Sequence, residues 1–328
     1  MSVMITLETD YLGLKLRNPL IVSSCSLTST LPKLKSLEEH GAGAVVLKSI
    51  FEEQILGETA MLERYSDYPE ASDYLHNYLS DDYLRTHLDL ISRAKSELSI
   101  PVIASINCAH VGEWVDYARR MEEAGADALE LNIFMLPLDM TRSSDEIEKA
   151  YLEIVNKVVA AVSVPVSVKL GVRFTNILSI AQQIYYRHGK GVVMYNRFFE
   201  PDIDVNNIAV VSSDPMSSPS ELRNSLRTVA LCSSQLPLLD IAVSTGVYTG
   251  EDAVKALLVG AKGVQICSTI YTNGLDVIRS MADYIGKWME QHTFARIEDF
   301  RGMLSYKGTA DTEEYQRVQY MKFFPKDR

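Results

Sequence analysis

The sequence predicts an α/β fold of a single domain, a (β/α)8 barrel of the TIM-barrel class. Three observations predict it. Eight short apolar runs alternate with amphipathic stretches of helical period, and regular βα alternation builds a parallel sheet covered by helices. Eight such units fit a chain of 328 residues. The runs end in polar or small residues, Ser24, Lys48, Asn107, Asn132, Lys169, Asn196, Gly246 and Ser268, and in a barrel these ends share one mouth. A doubly wound open sheet is the competing architecture. No G-x-G-x-x-G follows the first strand, which weighs against its dinucleotide-binding form.

Taken in order, extended runs at 12–16 and 18–22 open the chain. A short helix over 31–39 is closed by Gly41, and a strand over 44–47 ends at Lys48. Residues 51–83 follow, rich in acids and in tyrosines (Tyr65, Tyr68, Tyr74, Tyr78, Tyr83), and read as a lid-like insertion over the mouth after the second strand. A helix over 84–97 leads to Pro101, which opens a strand over 102–106. The next helix, 113–123, stops at Gly125, and the strand 128–131 ends at Asn132. A helix over 145–161, a strand over 166–168 opened by Pro165, a helix over 177–188 and a strand over 191–195 follow. A long connection, 197–219, precedes a helix over 221–232. The last unit is a strand over 238–243, a helix, and a strand over 263–267. Thr249 with Asp252 spells a capping box at that helix start, and Gly260 ends it. Residues 275–328 read as a C-terminal helical segment.

Composition bounds the function. The chain is 47% hydrophobic and 23% charged, as ordinary globular domains are. A net charge of −11 argues against nucleic acid, whose phosphates demand a basic surface. Four scattered cysteines, Cys25, Cys108, Cys232 and Cys267, contain no C-x-x-C pair, so no metal centre is signalled, and a reduced, cytoplasmic setting is expected. The N-terminus lacks the pattern of a signal peptide, and no apolar run is long enough to span a bilayer. The expected partner is a small-molecule substrate, with neither nucleic acid nor membrane.

The strand ends suggest a chemistry. Helix N-termini and free amides favour an anion, and barrels commonly hold phosphate on the loops after strands 7 and 8. Here those loops carry Thr245-Gly246 and Ser268-Thr269. Ordinary βα turns favour the same residues. Asparagine offers both a donor and an acceptor, which matches the imide edge of a flat heterocycle. A lysine beside a ring that gains negative charge on reduction stabilises that charge. A phosphate clamp with such a mouth describes FMN. A phosphosugar is the alternative, but it would favour carboxylates at the strand ends, and none stands there.

At these residues the chain resembles the dihydroorotate dehydrogenase family of FMN-dependent barrels, over most of its length. Asn18-Pro19 through Ser23-Ser24 is similar to the family's first strand and flavin-contacting loop, and Val46-Leu47-Lys48-Ser49 to its Lys-Thr strand end. Asn107 falls at a flavin-side Asn. Glu130-Leu131-Asn132-Ile133 resembles the start of E-L-N-x-S-C-P-N, Val168-Lys169-Leu170 the lysine strand, and Asn196 the substrate-side Asn. Thr245-Gly246-Val247 and Thr249 to Ala253 (T-G-E-D-A) resemble its phosphate loop, followed by V-Q-I and by Cys267-Ser268-Thr269 where the family has Gly-Thr-Ala. The resemblance implies an oxidoreductase that passes a hydride to FMN while oxidising dihydroorotate to orotate in pyrimidine biosynthesis. It implies Ser23, Ser24, Lys48, Asn107, Asn132, Lys169, Thr245, Gly246, Ser268 and Thr269 at the cofactor. Lys48, Asn132 and Asn196 fall at the substrate, and a homodimer is suggested.

The departures are specific. Met135 stands at the position of the family's Cys or Ser base, and methionine takes no proton. The motif's second Asn is missing. In the tyrosine-rich segment only Asn77 aligns with an expected Asn loop. Cys25 and Ser218 stand where the family has glycines. A missing base lowers the rate roughly 10²–10⁴-fold. Candidate substitutes are Cys108 and His110, just after Asn107, and Tyr74 or Tyr78 in the lid. An FMN oxidoreductase acting on a different unsaturated or heterocyclic substrate, and a flavin-binding protein without turnover, stand as alternatives. Restoring cysteine at position 135 raises dihydroorotate turnover if the base is all that is missing.

Overall fold

The computed structural model describes residues 5–51, 84–107, 111–135, 138–197, 200–310 and 312–316. The expected lid lies outside them from residue 52 to 83, as do Tyr74, Tyr78, Asn77, Cys108 and His110.

Thr9–Tyr11 (β1) and Leu14–Leu16 (β2) form an antiparallel hairpin. The sequence reading began its first extended run at Leu12, inside this turn, and gave residues 9–11 no strand. Leu12 and Gly13 nevertheless both adopt positive φ, 57° and 80°, the shape of a two-residue hairpin turn. Burial of the Leu12 side chain compensates, and its N–H donates to Asp240 Oδ2 at 2.7 Å.

The barrel follows. Leu20–Val22 (β3), Ala44–Val46 (β4), Val102–Asn107 (β6), Ala128–Leu131 (β7), Val166–Leu170 (β8), Gly191–Met194 (β9), Asp240–Val243 (β12) and Gly263–Ile266 (β13) are each parallel to the next. β13 pairs with β3, Val264 opposite Leu20, and the eight-stranded barrel is closed. Ile50–Phe51 (β5) adds a short pairing to β6 beyond the end of β4. Helices separate the strands at Leu31–Glu39, 84–97, Val111–Glu123, Ser144–Ala161, Ile177–Tyr186, Leu222–Gln235 and Gly250–Leu258. The caps act as their sequences direct. Thr249 Oγ1 accepts from Asp252 N at 3.2 Å, and Ser143 with Glu146 forms a second capping box.

Side chains alternate across each strand. Outward residues such as Val22, Val45, Leu129 and Val168 pack under the helices. Inward, Ile21, Ala44, Val46, Ile103, Ala128, Val193 and Ala242 pack against Tyr11, Leu12 and Leu16, so the β1–β2 hairpin plugs one end of the barrel.

Two expectations are corrected. The 197–219 connection is not plain loop: Pro201–Asp204 (β10) and Ala209–Ser212 (β11) form a hairpin whose residues are mostly exposed. The C-terminal segment is helical only in part. Asp276–Gln291 is a regular helix, and short turns follow it up to the last described residue. Among the described residues, no helix is long and apolar enough to cross a membrane.

Candidate functional site

A cavity of about 680 Å³ opens at the carboxyl ends of the barrel strands. Ser23 and Ser24 reach it from beyond β3, Lys48 from beyond β4, Asn107 from β6 and Asn132 from beyond β7. Lys169 rises from β8, Asn196 follows β9, Thr245 and Gly246 follow β12, and Ser268 follows β13. Eight of these were read from the sequence as strand ends sharing one mouth, Ser23 and Thr245 were added by the family resemblance, and the barrel brings all ten to one cavity. Thr269 does not line the cavity. It is fully buried and donates to the Tyr248 carbonyl at 2.9 Å.

The cavity floor is a polar network inside the barrel. Lys169 Nζ donates to Ser23 Oγ at 2.8 Å and to Gln265 Oε1 at 2.9 Å. Ser23 Oγ donates to the same Gln265 oxygen at 3.1 Å, while Gln265 Nε2 donates to Glu130 Oε2. Glu130 Oε1 has no hydrogen-bond partner among the described residues and sits 3.7 Å from Lys169 Nζ. So a carboxylate does belong to the site, one layer beneath the strand ends where it was sought. Below it lies the Tyr11 phenol. Burial first, then the charges of Glu130 and Asp240, push its pKa well up and keep it protonated.

Two further links tie the rim. Ser24 Oγ, Ser49 Oγ and Ser105 Oγ form a chain at 3.0 and 2.8 Å across the first three barrel strands. Asn196 Nδ2 donates to Asn132 Oδ1 at 2.7 Å, joining the loops after β7 and β9.

The loops after β12 and β13 meet at a serine the sequence reading did not single out. Ser217 donates through both N and Oγ to Ser268 Oγ, each at 3.0 Å, and its own Oγ accepts from Gly246 N at 3.3 Å. Thr245 and Gly246 both have positive φ, 74° and 77°, and Thr245 Oγ1 donates to the Tyr195 carbonyl at 2.8 Å. The glycine is required by packing as well. A Cβ at 246 would meet Leu222 N at 2.4 Å and Ser218 O at 3.0 Å, at the start of the Leu222–Gln235 helix.

Met135 does not line this cavity. Its neighbour Phe134 does, and both line a second cavity of about 400 Å³ together with Tyr151, Phe174 and Ile147. The loop therefore turns an aromatic ring, rather than the side chain at 135, toward the mouth. Glu130, Gln265 and Ser105 were not singled out in the sequence because they interrupt apolar runs singly, and Ser49 because it stands directly after Lys48. The signal was there: at inward positions, two residues apart, Ala128-Glu130-Asn132, Ile103-Ser105-Asn107 and Gly263-Gln265-Cys267 pass from small or apolar to polar. Cys25 and Cys267 also line the cavity. Among the described residues, no three His, Cys, Asp or Glu side chains gather to hold a metal ion.

Comparison with known proteins agrees with this architecture. A protein of *Thermoplasma volcanium* named dihydroorotate dehydrogenase B (NAD(+)), catalytic subunit, is 30% identical over 312 residues, covering 90% of this chain and 98% of its own length. Its counterpart in *Thermoplasma acidophilum* is 28% identical over 309 residues, covering 92% and 99%. The chloroplastic dihydropyrimidine dehydrogenase (NADP(+)) of *Arabidopsis thaliana* is 25% identical over 335 residues, covering 93% of this chain and 78% of that protein. The profile of the dihydroorotate dehydrogenase family matches residues 6–289, and with the closed barrel and its polar mouth the chain belongs to that family.

Proposed function

We propose that the chain binds FMN in the 680 Å³ cavity and acts as an oxidoreductase on a carbon–carbon bond of a flat heterocycle. The carrying observation is the convergence of Lys48, Asn107, Asn132, Lys169, Asn196, Thr245, Gly246 and Ser268 on that one cavity. The volume lies within the range of cofactor pockets. The donor set fits the group at both ends. The Ser217 and Ser268 hydroxyls and the Gly246 N–H converge where the two loops meet, and these donors suit a phosphate. Lys169, Asn107 and Lys48 suit the polar edge of the ring.

Bound there, FMN supplies a two-electron acceptor for hydride. The chain's residues supply position and charge. Lys169 is fixed by Ser23 and Gln265 and shares its charge with Glu130, so it stabilises negative charge above it without being free to move. The Asn132–Asn196 pair presents amide groups to a substrate edge.

Dihydroorotate, oxidised to orotate, is the first substrate, on the strength of the family. The relatives' names differ in electron acceptor, NAD(+) in two and NADP(+) in the third. A second reading, a different unsaturated or heterocyclic substrate, is favoured by one observation. Phe134 occupies the mouth where the motif leads to a base, and Met135 carries no titratable group.

The test is anaerobic. The purified protein is expected to be yellow, and dihydroorotate is expected to bleach the oxidised flavin band. A colourless protein that takes up no added FMN would sink the cofactor reading. A band that dithionite bleaches and dihydroorotate does not would leave the cofactor reading intact and remove dihydroorotate. In that case other rings are tried, and a flavin protein without turnover is what remains if none bleaches it.

A further inference from the structure

Two thiols face each other at the rim of the cavity. Cys25 follows β3 and Cys267 follows β13, the first and last strands of the closed barrel. Val22 pairs with Ile266, and Ser23 N donates to Ile266 O at 3.0 Å, so the two loops leave the sheet side by side. Both cysteines line the cavity, both are half-buried, and neither is in a disulfide. The Cys25 thiol interacts electrostatically with Cys267, with the backbone N–H groups of Leu27 and Thr28, and with the phenol of Tyr271. That phenol is 2.6 Å from Ser26 Oγ and 40% exposed, so the cluster reaches solvent. Lys169 adds positive charge on the Cys267 side. Both cysteines stand at positions where the family resemblance places glycine, so neither thiol is accounted for by the function proposed above.

We propose that Cys25 and Cys267 form a redox-active dithiol that reduces a low-molecular-weight disulfide, with Cys25 attacking and Cys267 resolving.

The roles follow from the surroundings. The donors around Cys25, Cys267 foremost, hold its pKa down to about 6 against the effect of burial. The same contact and burial push Cys267 far up, so it stays a thiol while Cys25 is a thiolate. The third described cysteine, Cys232, is fully buried and pushed up to about 12, and it serves as an inert control. A thiolate flanked by a protonated partner is the arrangement that thiol–disulfide exchange uses.

The steps balance. The Cys25 thiolate attacks one sulfur of the disulfide R–S–S–R′. The Cys25–S–S–R bond forms and R′S⁻ leaves. R′S⁻ takes the proton of Cys267. The new thiolate attacks Cys25 Sγ, the Cys25–Cys267 disulfide forms, and RS⁻ leaves. Two protein thiols are oxidised and one external disulfide is reduced. No cofactor takes part, so the proposal stands or falls apart from the FMN reading.

The test uses the full chain and oxidised glutathione at neutral pH. Peptide mapping is expected to show a cross-link between the Cys25 and Cys267 peptides, with no glutathione retained and Cys232 still free. Cys267→Ser is expected to trap glutathione on Cys25. Cys25→Ser is expected to leave Cys267 unmodified. Free thiols at both positions in the wild type after exposure would overturn the proposal. A lasting glutathione adduct on wild-type Cys25, with no cross-link, would overturn the resolving role of Cys267 and the proposal with it. The wild-type result alone decides the matter should either variant fail to fold.

Discussion

Lys169 and Glu130 form an ion pair inside the barrel, Nζ to Oε1 3.7 Å, with side chains only 7% and 1% exposed. Neither charge has another charged partner as near among the described residues. Removing one member of a buried pair leaves the other uncompensated, at a cost of about 3–5 kcal/mol. Lys169→Ala is therefore expected to lower the free energy of unfolding by that amount, and Lys169→Ala with Glu130→Gln to recover a large part of it. Urea unfolding of the two variants checks this. Equal losses in both would mean that the pair does not hold as described. In the single variant any bound flavin is also expected to bind more weakly or show a lower potential, since the cation under it is gone.

Asp240 is the matching joint at the other end of the barrel. Its carboxylate accepts the Leu12 N–H at 2.7 Å and the Lys262 ammonium at 2.5 Å. Asp240→Ala leaves a buried N–H without a partner, which costs about 1–3 kcal/mol. Asp240→Asn keeps an acceptor for Leu12 and is expected to lose less. Thermal denaturation orders the three proteins. An alanine variant no less stable than the asparagine variant would show that the hairpin is not held through this contact.

These two joints show what the sequence made legible and what it hid. The barrel was readable because strand and helix periods alternate, and the mouth because Lys48, Asn107, Asn132 and Asn196 break apolar runs at their ends. Glu130 and Gln265 break runs in the middle, where one polar residue looks like noise until the closed barrel shows that its position faces inward. The turn at Leu12 was hidden because burial, not local propensity, holds a leucine in the left-handed region. The β10–β11 hairpin was overlooked although Asn206 and Asn207 mark its turn. The meeting of Cys25 with Cys267 was beyond local reading, since only barrel closure joins the two ends of the chain.

Ser268 tests the phosphate end of the cavity. Its Oγ accepts two hydrogen bonds from Ser217 beside the Gly246 loop. Ser268→Glu places a carboxylate among donors proposed for a phosphate, and like charges at that distance exclude the ligand. The variant is expected to purify without the flavin band and to bind no added FMN. A yellow Ser268→Glu protein would move the phosphate elsewhere.

Met135→Cys follows from the direction of the side chain. Position 135 borders the second cavity, beside Tyr151 and Phe174, while Phe134 faces the mouth. A cysteine placed at 135 stays out of reach of a ring in the first cavity, and a general base must come within hydrogen-bond distance of its proton. No gain in dihydroorotate turnover is expected from the single change. A gain of tenfold or more in stopped-flow bleaching would show that the loop turns over when substrate binds.

The thiol at Cys25 carries the pH dependence. Its pKa is held down to about 6, first by the Cys267 contact, then by the Leu27 and Thr28 N–H groups and the Tyr271 phenol, with burial opposing. Alkylation follows the thiolate. The rate of Cys25 modification by iodoacetamide is therefore expected to be level above about pH 7 and to fall through pH 6, whereas an ordinary thiol falls through about pH 8.5. The sign for stability is the same. A pKa depressed in the folded state favours folding above the unfolded value, and that contribution is lost as pH falls through the folded one. Cys267→Ser keeps a hydroxyl donor next to Cys25 and is expected to move the profile little, whereas Cys267→Ala removes the donor and moves it toward higher pH. Quantifying the Cys25 peptide after timed alkylation reads all three. A wild-type profile centred near pH 8.5 would mean that Cys25 rests as a thiol, and the assignment of the attacking sulfur would then have to be abandoned.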